Sequence, residues 1–360
     1  MSPLDTAKLN RMRATLATIV PSNPGRTAAR VFRTLASCQS HFEYKSFIER
    51  QGWEDELQVK AAVEMLTTGN SAALTSVGAD FMGPVRDRAI LGRALIAARQ
   101  MPFNVRMIRQ TGGATAGWVR EGEPVAAGVG SFSFDPGLPA LKVAALTAAT
   151  EELIAASDAE EIVTRDLQEK CKSALDRSFS DPSNAGVAGK EPASVFYGVA
   201  SAISSGSDAD AIRADFLTLL DLYQGNLASA AIITSTKVAA QLALLQAMAG
   251  NTQINLAGES VFIGMPLLAS DAVPTDSNGT ILGLVDLSRL EIAGLQSAEI
   301  AVTRQAAIQL NDTPDANQTA GTTLVSLYQT NCVGLLAKIY CNWRAAPGAA
   351  AFISNVNYGG

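Results

Sequence analysis

Residues 117–142 read GWVREGEPVAAGVGSFSFDPGLPALK, and no other part of the chain restricts its fold as much. A tryptophan opens the stretch, and a turn through Arg-Glu-Gly-Glu-Pro follows. Ser131-Phe132-Ser133-Phe134 then alternates with the two-residue period of a strand, stopping at Asp135-Pro136-Gly137. Upstream, MPFNVRMIR (101–109) predicts a partner strand, with Phe103, Val105 and Met107 on one face and Asn104 and Arg106 on the other; Ile108 breaks the alternation. Between them lie Gly112, Gly113, Gly117, Gly122, Gly128 and Gly130. A two-stranded excursion of this kind is marginal alone in water, so something outside the arm must hold it.

The rest of the chain supplies a large body for such an arm. Over 360 residues, 48% are hydrophobic and only 17% charged, which suits a sizeable core and a surface partly covered by copies of itself. The net charge of −6 and the absence of a basic tract argue against sequence-specific nucleic-acid binding. Arg11, Arg13, Arg26, Arg30 and Arg33 read as the solvated faces of amphipathic helices. Cys38, Cys171, Cys332 and Cys341 form no CxxC pair, so neither a zinc site nor a disulfide framework is indicated, and a reducing cytoplasm is expected. MSPLDTAKLN does not read as a signal peptide, and the most apolar stretch, 229–250, is broken by Lys237 and several polar residues.

Helices are predicted at 1–20, 26–39, 55–68 and 84–100, the last with Ile90, Leu91, Leu95 and Ile96 as its apolar side. Leu141, Val143 and Ala145 lead out of the arm as a strand. Ser157 and Glu160 form a capping box with Asp158 in the first turn. Val163, Leu167, Cys171, Ala174 and Ser178, with Ile162 and Leu175 beside them, mark a helix over 158–178, roughly 32 Å long at about 1.5 Å per residue. Further on, the pattern gives a helix at 207–222 capped around Ser207 and a strand then a helix within 229–249. Two short strands flank Gly264 in VFIGMPLLAS, and strands follow at 281–287 and 297–303. The polar loop 311–321 leads to a last segment with one terminal strand.

Catalytic chemistry is missing by residue type. His41 is the single histidine, and CQSHFEYK around it has no nucleophile elbow. GVAGKE (186–191) resembles a phosphate loop only in part, because Asn184 stands at its first glycine position and Glu191 where Ser or Thr must hold magnesium. GVGSFS is not a dinucleotide fingerprint, since no helix follows it. Glu151-Glu152 and Glu160-Glu161 sit at helix starts, where they complement the dipole. No catalytic residue, cofactor site or metal site is expected.

Taken in order, the strand into GWVREGEP, then FSF, ALKVAAL, TEELIAAS and the helix ending in ALDRSF resemble the major capsid protein family of tailed bacteriophages. FIGMPLLAS, GLVDLSRL and LLAKIYCNWRAAPGAAAF continue the resemblance, which covers roughly residues 85–355. It implies an α+β, Hong Kong 97-like capsid fold. The divisions would be an N-terminal arm region (1–100), an extended two-stranded loop (101–145), a peripheral domain with a spine helix (146–190), an axial domain with return strands (191–305) and a C-terminal peripheral part (306–360).

The resemblance further implies pentamers and hexamers of one chain in an icosahedral virion shell. That shell encloses double-stranded DNA without sequence-specific binding and is assembled in the host cytoplasm. Separate scaffolding, portal and decoration proteins are its expected partners, with no membrane. Trp118, Arg120, Glu121, Glu123, Phe132 and Phe134 would then make contacts between subunits. Some relatives crosslink a loop lysine to a neighbour's asparagine with help from a glutamate. Here the loop's single lysine is Lys142, at its base, and no acid stands near Leu335-Leu336, so a non-crosslinked shell is expected. No charged coiled-coil scaffold precedes residue 85. Two alternatives are an encapsulin-type nanocompartment, betrayed by a co-purifying cargo enzyme, and a soluble enzyme acting near Lys190, betrayed by turnover in a small oligomer.

Overall fold

The computed structural model describes residues 25–38, 41–53, 59–60, 63, 71–155, 159–248, 260–315, 317, 319 and 321–358. The helices expected at 1–20 and over most of 55–68, and the Ser157 cap, lie outside them.

Two sheets organise the body. The first has four strands in the order Arg99–Met101, Leu290–Thr303, Cys332–Ala345, Leu141–Thr150. One face carries Val143, Ala145, Ala149, Leu335, Ala337 and Ile339 onto the helix Ala159–Ser180, the predicted spine. The helix keeps its predicted place but turns differently. Ala174 and Ile162 are exposed, and the buried stripe runs through Thr164, Leu167, Cys171, Leu175 and Phe179. The reason is volume: Leu175 and Phe179 fill the space under the sheet better than Ala174 and Ser178. Burial pushes the thiols of Cys171 and Cys341 up to about 11 and about 12, so both pack as small apolar groups.

The helices Arg26–Ser37 and Ser71–Arg88 complete this half. The second crosses the strand Leu290–Thr303 where Gly294 and Leu295 adopt positive φ and the ladder slips a register. Gly78 allows the crossing: a Cβ there would lie 2.0 Å from the Ala298 carbonyl oxygen. The helix expected at 84–100 is not one element. The preceding helix ends at Arg88, Ala89 is extended, and a short helix, Ile90–Ala94, restarts. The buried carboxylate of Asp176 fixes that break by accepting the Ile90 amide at 2.7 Å and the Ser270 hydroxyl at 2.6 Å. Ile96, expected on the apolar side, is exposed.

The second sheet runs Ala200–Ile203, Ala350–Val356, Gly279–Asp286, Ala230–Thr234, Met265–Ala269, Ser260–Phe262, with Thr275–Asp276 paired to Gly279–Asp286. Its central strands are buried on both faces, which explains the unbroken apolar runs AAIIT and ILGLVD. One face, with Ile232, Leu282, Leu284 and Ile353, packs on the helices Ala209–Leu222 and Thr236–Met248. The other, with Ile233, Val285 and Phe352, joins the first core. Asp208, not Ser207, caps the helix Ala209–Leu222, its side chain accepting the Ala211 amide at 3.0 Å. The hairpin in VFIGMPLLAS forms as expected, turning at Ile263 and Gly264 with φ of 53° and 76°. The strand expected at 297–303 begins earlier, at Leu290.

The last segment corrects the reading of a single terminal strand. It holds two, Cys332–Ala345 in the first sheet and Ala350–Val356 in the second. The connection turns on Gly348 (φ 71°). Trp343, its indole N–H donating to the Ala193 carbonyl at 2.9 Å and its ring edge-on to Phe179, ties the four-stranded sheet to the spine helix and to the loop that follows it.

Candidate assembly interface: the projecting arm

The arm leaves the first sheet after Met101. The chain turns at Asn104 (φ 59°), whose amide donates to the Leu138 carbonyl at 2.8 Å, and only then forms a strand, Met107–Gly112. The strand expected over 101–109 is therefore shifted: Met101 belongs to the four-stranded sheet, opposite Ala293, and 102–106 is the bend between. The partner strand, Ser131–Asp135, matches its pattern, pairing Phe134 with Ile108 and Phe132 with Gln110.

Beyond these pairs the two legs stay side by side without regular structure. Gly128 lets them meet: a Cβ there would lie 2.4 Å from the Gly113 carbonyl oxygen. The tip turns at 120–123, where the Glu123 amide donates to the Arg120 carbonyl at 3.1 Å and the Arg120 amide to a Glu123 carboxylate oxygen at 3.1 Å.

Sequence reasoning missed how the arm's root is held. Met101, Leu138 and Ala293 form a small core there with Phe103 and Met107 against it. Above it sits a cluster of charges drawn from five strands. The Arg344 guanidinium donates to Glu291 from Nε at 3.1 Å and from Nη2, lies 3.8 Å from Asp135, and donates to the Pro136 carbonyl at 3.0 Å. Arg109 stands 3.4 Å from Asp135 and Arg99 3.9 Å from Glu291. Asn342 Nδ2 donates to the Pro139 carbonyl at 2.7 Å. Glu291 and Arg344 face each other across one ladder, which no local spacing reveals.

The six residues singled out from the sequence are all on the arm and all exposed. Phe132 and Phe134 share one face with Ile108, at 64, 69 and 58% exposure. Trp118 is fully open to solvent, and Arg120, Glu121 and Glu123 surround the tip. Among the described residues those three form no side-chain ion pair. The chain thus anchors the arm at its root and leaves its aromatic groups uncovered. Solitary apolar residues on a surface are ordinary; here three share one face of the hairpin and an exposed tryptophan stands near its tip, which makes the arm the candidate interface.

The remaining sequence candidates resolve as structure. Glu191, in the loop that resembles a phosphate cradle, accepts hydrogen bonds from Ser178 and Asn184, and Lys190 is exposed on a turn. His41 begins the helix His41–Gln51. Among the described residues no group of three metal-ligating side chains occurs, and no helix is long and apolar enough to cross a membrane. An acid does reach the last segment, from the neighbouring strand: Glu299 meets Lys338 at 3.0 Å and Tyr340 at 3.2 Å. The hydrogen bond from Lys338 is the chief reason its carboxyl titrates below the usual range.

Comparison with known proteins identifies the family. The chain is 35% identical over 324 residues to the "Capsid polyprotein" of Pseudomonas phage PAJU2, covering 84% of this chain and 48% of that protein. It therefore spans about half the length of the curated relative it matches. Among solved structures it is similar to one from Gordonia phage Cozz (14% identity, TM-score 0.49, 72% of this chain and 85% of that one). Another similar structure is from Microbacterium phage Oxtober96 (19% identity, TM-score 0.47, 72% and 90%). The model of the phage capsid family matches residues 75–334. The chain belongs to the phage capsid family.

Proposed function

We infer that this chain is the major capsid protein of a tailed bacteriophage, the repeating unit of an icosahedral shell around double-stranded DNA. The observation that carries this is the arm: a hairpin rooted by buried contacts, with exposed Trp118, Phe132 and Phe134, on a chain of the phage capsid family. The arm covers a neighbouring copy, and burial of these aromatics supplies the attraction. The fold is Hong Kong 97-like. Residues 101–145 are its extended loop, the spine helix and four-stranded sheet its peripheral domain, and 191–305 its axial domain with return strands; the seven-stranded sheet forms the axial body, and the return strand Leu290–Thr303 runs back into the four-stranded sheet. The strand Ala350–Val356 lies within that second sheet, so the C-terminal part serves both.

The role is structural rather than enzymatic. Pentamers and hexamers of the chain form in the host cytoplasm and end in the virion, with scaffolding, portal and decoration proteins as separate partners. The shell is held by burial and charge pairs without covalent crosslinks. In support, the loop has no lysine beyond Lys142, and Glu299 is engaged by Lys338 and Tyr340 of its own chain. Light scattering with negative-stain imaging tests the reading. Icosahedral particles of megadalton mass, running as monomer on a reducing, boiled gel, are expected. A rigid dimer or tetramer that never grows overturns it.

A further inference from the structure

Beside the arm's root lies a cleft of about 1000 Å3. The segment 86–97 forms one wall, the edge strand at Ser260 and Val261 another, and the bulge at Gly294–Gln296 the third. Its interior is apolar, with Leu268 and Leu295 inside and exposed Ile96 at the lip. Its charge is uneven: Arg86, Arg88, Arg93 and Lys172 stand against Asp87 and Asp271. Arg93 donates to the Leu267 carbonyl, Lys172 pairs with Glu169, and Asp271 accepts from Thr236. Arg86 and Arg88 are exposed and have no ion-pair partner among the described residues.

We propose that this cleft receives the arm tip of a second copy, Trp118 entering its apolar interior and Glu121 and Glu123 meeting Arg86 and Arg88. This rests on the shell reading and names the arm's receiving site. Chemical complementarity carries it. The tip holds one exposed indole beside two exposed carboxylates, and the cleft has an apolar interior with two unengaged guanidinium groups at its rim. A cavity of this size takes a large aromatic side chain with its flanking turn.

Exposure of the tip points to a second copy as its donor. From Met107 to Arg120 a leg extends up to ~43 Å at ~3.3 Å per residue. The cleft abuts the arm's own root, since Gln100, Gly294 and Leu295 line it while the neighbouring Met101 and Ala293 hold that root. A chain's own tip does not fill its own cleft: Trp118 is fully open to solvent and no arm-tip residue lines the cleft. A contact in which each copy gives a tip and receives another is head-to-tail and can close into a ring.

The test pairs Glu123→Cys with Arg88→Cys in the full chain, oxidised and run on a non-reducing gel. A ladder above the monomer that disappears with reductant, and is absent from either single variant, is expected. The ladder is read on whatever oligomer forms, so its failure is visible separately from failure to build shells. In parallel, Glu121→Arg with Glu123→Arg, and Arg86→Glu with Arg88→Glu, should each lower particle yield at least ten-fold while thermal unfolding of the subunit is unchanged. Combining all four should restore yield. Wild-type particles without a ladder from the cysteine pair overturn the docking and leave the shell reading standing. Loss of yield from the arginine variants alone, unrescued by the tip variants, also overturns it and assigns the cleft to another anion, DNA or an acidic protein.

Discussion

Replacing Arg344 by Met asks whether the charge cluster at the arm's root sets the arm's stiffness. Methionine keeps most of the apolar stem and removes the guanidinium. Lost with it are two donations to Glu291, one to the Pro136 carbonyl and the approach to Asp135. Charge-assisted hydrogen bonds of this type contribute ~1.5–3 kcal/mol when buried and a good deal less when exposed. The Arg344 side chain is 28% exposed, and Glu291 and Asp135 are 16% and 14%. The two carboxylates are not abandoned, since Arg99 and Arg109 remain within 3.9 and 3.4 Å of them. A net loss of about 1–2 kcal/mol follows.

Most of that loss should appear locally. The Asn104 amide, bonded across the root to Leu138, reports on the arm's opening. Its hydrogen exchange should accelerate about 5- to 30-fold in Arg344→Met, the factor that about 1–2 kcal/mol corresponds to. Amides inside the seven-stranded sheet, such as Ile232, should change much less. Salt at about 1 M, with a screening length of ~3 Å, should narrow the gap between variant and wild type. Equal acceleration at Asn104 and Ile232 would refute the reasoning, because Arg344 would then be only a sheet residue whose loss weakens the whole fold.

Three further outcomes are expected. Gly78→Ala should destabilise by about 2 kcal/mol in urea unfolding: the overlap with the Ala298 carbonyl costs up to ~3 kcal/mol against a helix-propensity gain of ~1 kcal/mol, and equal stability would show that the helix can retreat freely. Asp176 has its carboxyl pushed up to about 6 by burial, above an unfolded value near 3.9, so its contribution to stability is full below about pH 4 and lost as pH rises through about 6. The stability of wild type relative to Asp176→Asn should fall by ~3 kcal/mol between pH 4 and 7, and parallel pH profiles would sink the idea. Trp118→Ala should cut particle yield several-fold and leave subunit stability within about 0.5 kcal/mol, whereas an unfolded subunit would place Trp118 in a core.

What the sequence made legible follows from the range of the forces involved. The spine helix, the Ser131–Asp135 strand and the hairpin at Ile263-Gly264 are local: period and turn chemistry lie within a few residues of one another. The arm's aromatic residues were readable for the same reason, as was their oddity, an alternation whose apolar side the chain itself leaves exposed. The break at Ala89 was not legible, because the carboxylate that caps Ile90 comes from Asp176, far along the chain. Nor were the two closing strands. Cys332–Ala345 is an apolar run whose neighbours, Leu290–Thr303 and Leu141–Thr150, come from distant segments. The same distance hid Glu299 beside Lys338 and the Arg344 cluster, in which every partner is contributed by another strand.

The uncovered arm fits reversible closure better than tight pairing. Trp118, Phe132 and Phe134 together would bury roughly 300–500 Å2 now open to water, worth ~8–12 kcal/mol at ~25 cal/mol per Å2. Association and arm ordering cost ~4–15 kcal/mol, so one arm contact alone lies near balance and a pair of subunits separates easily. Closing a ring changes the count. An open row of copies leaves its last arm unused, whereas a closed ring engages every arm, and the closing contact carries no further loss of free translation. Subunits added with the wrong spacing never reach that closing contact and dissociate. A tighter arm would lock such errors in place. If the arm docks on a second copy as proposed, the glycines and the solvent-exposed aromatics of residues 113–134 keep each contact weak until the whole ring closes.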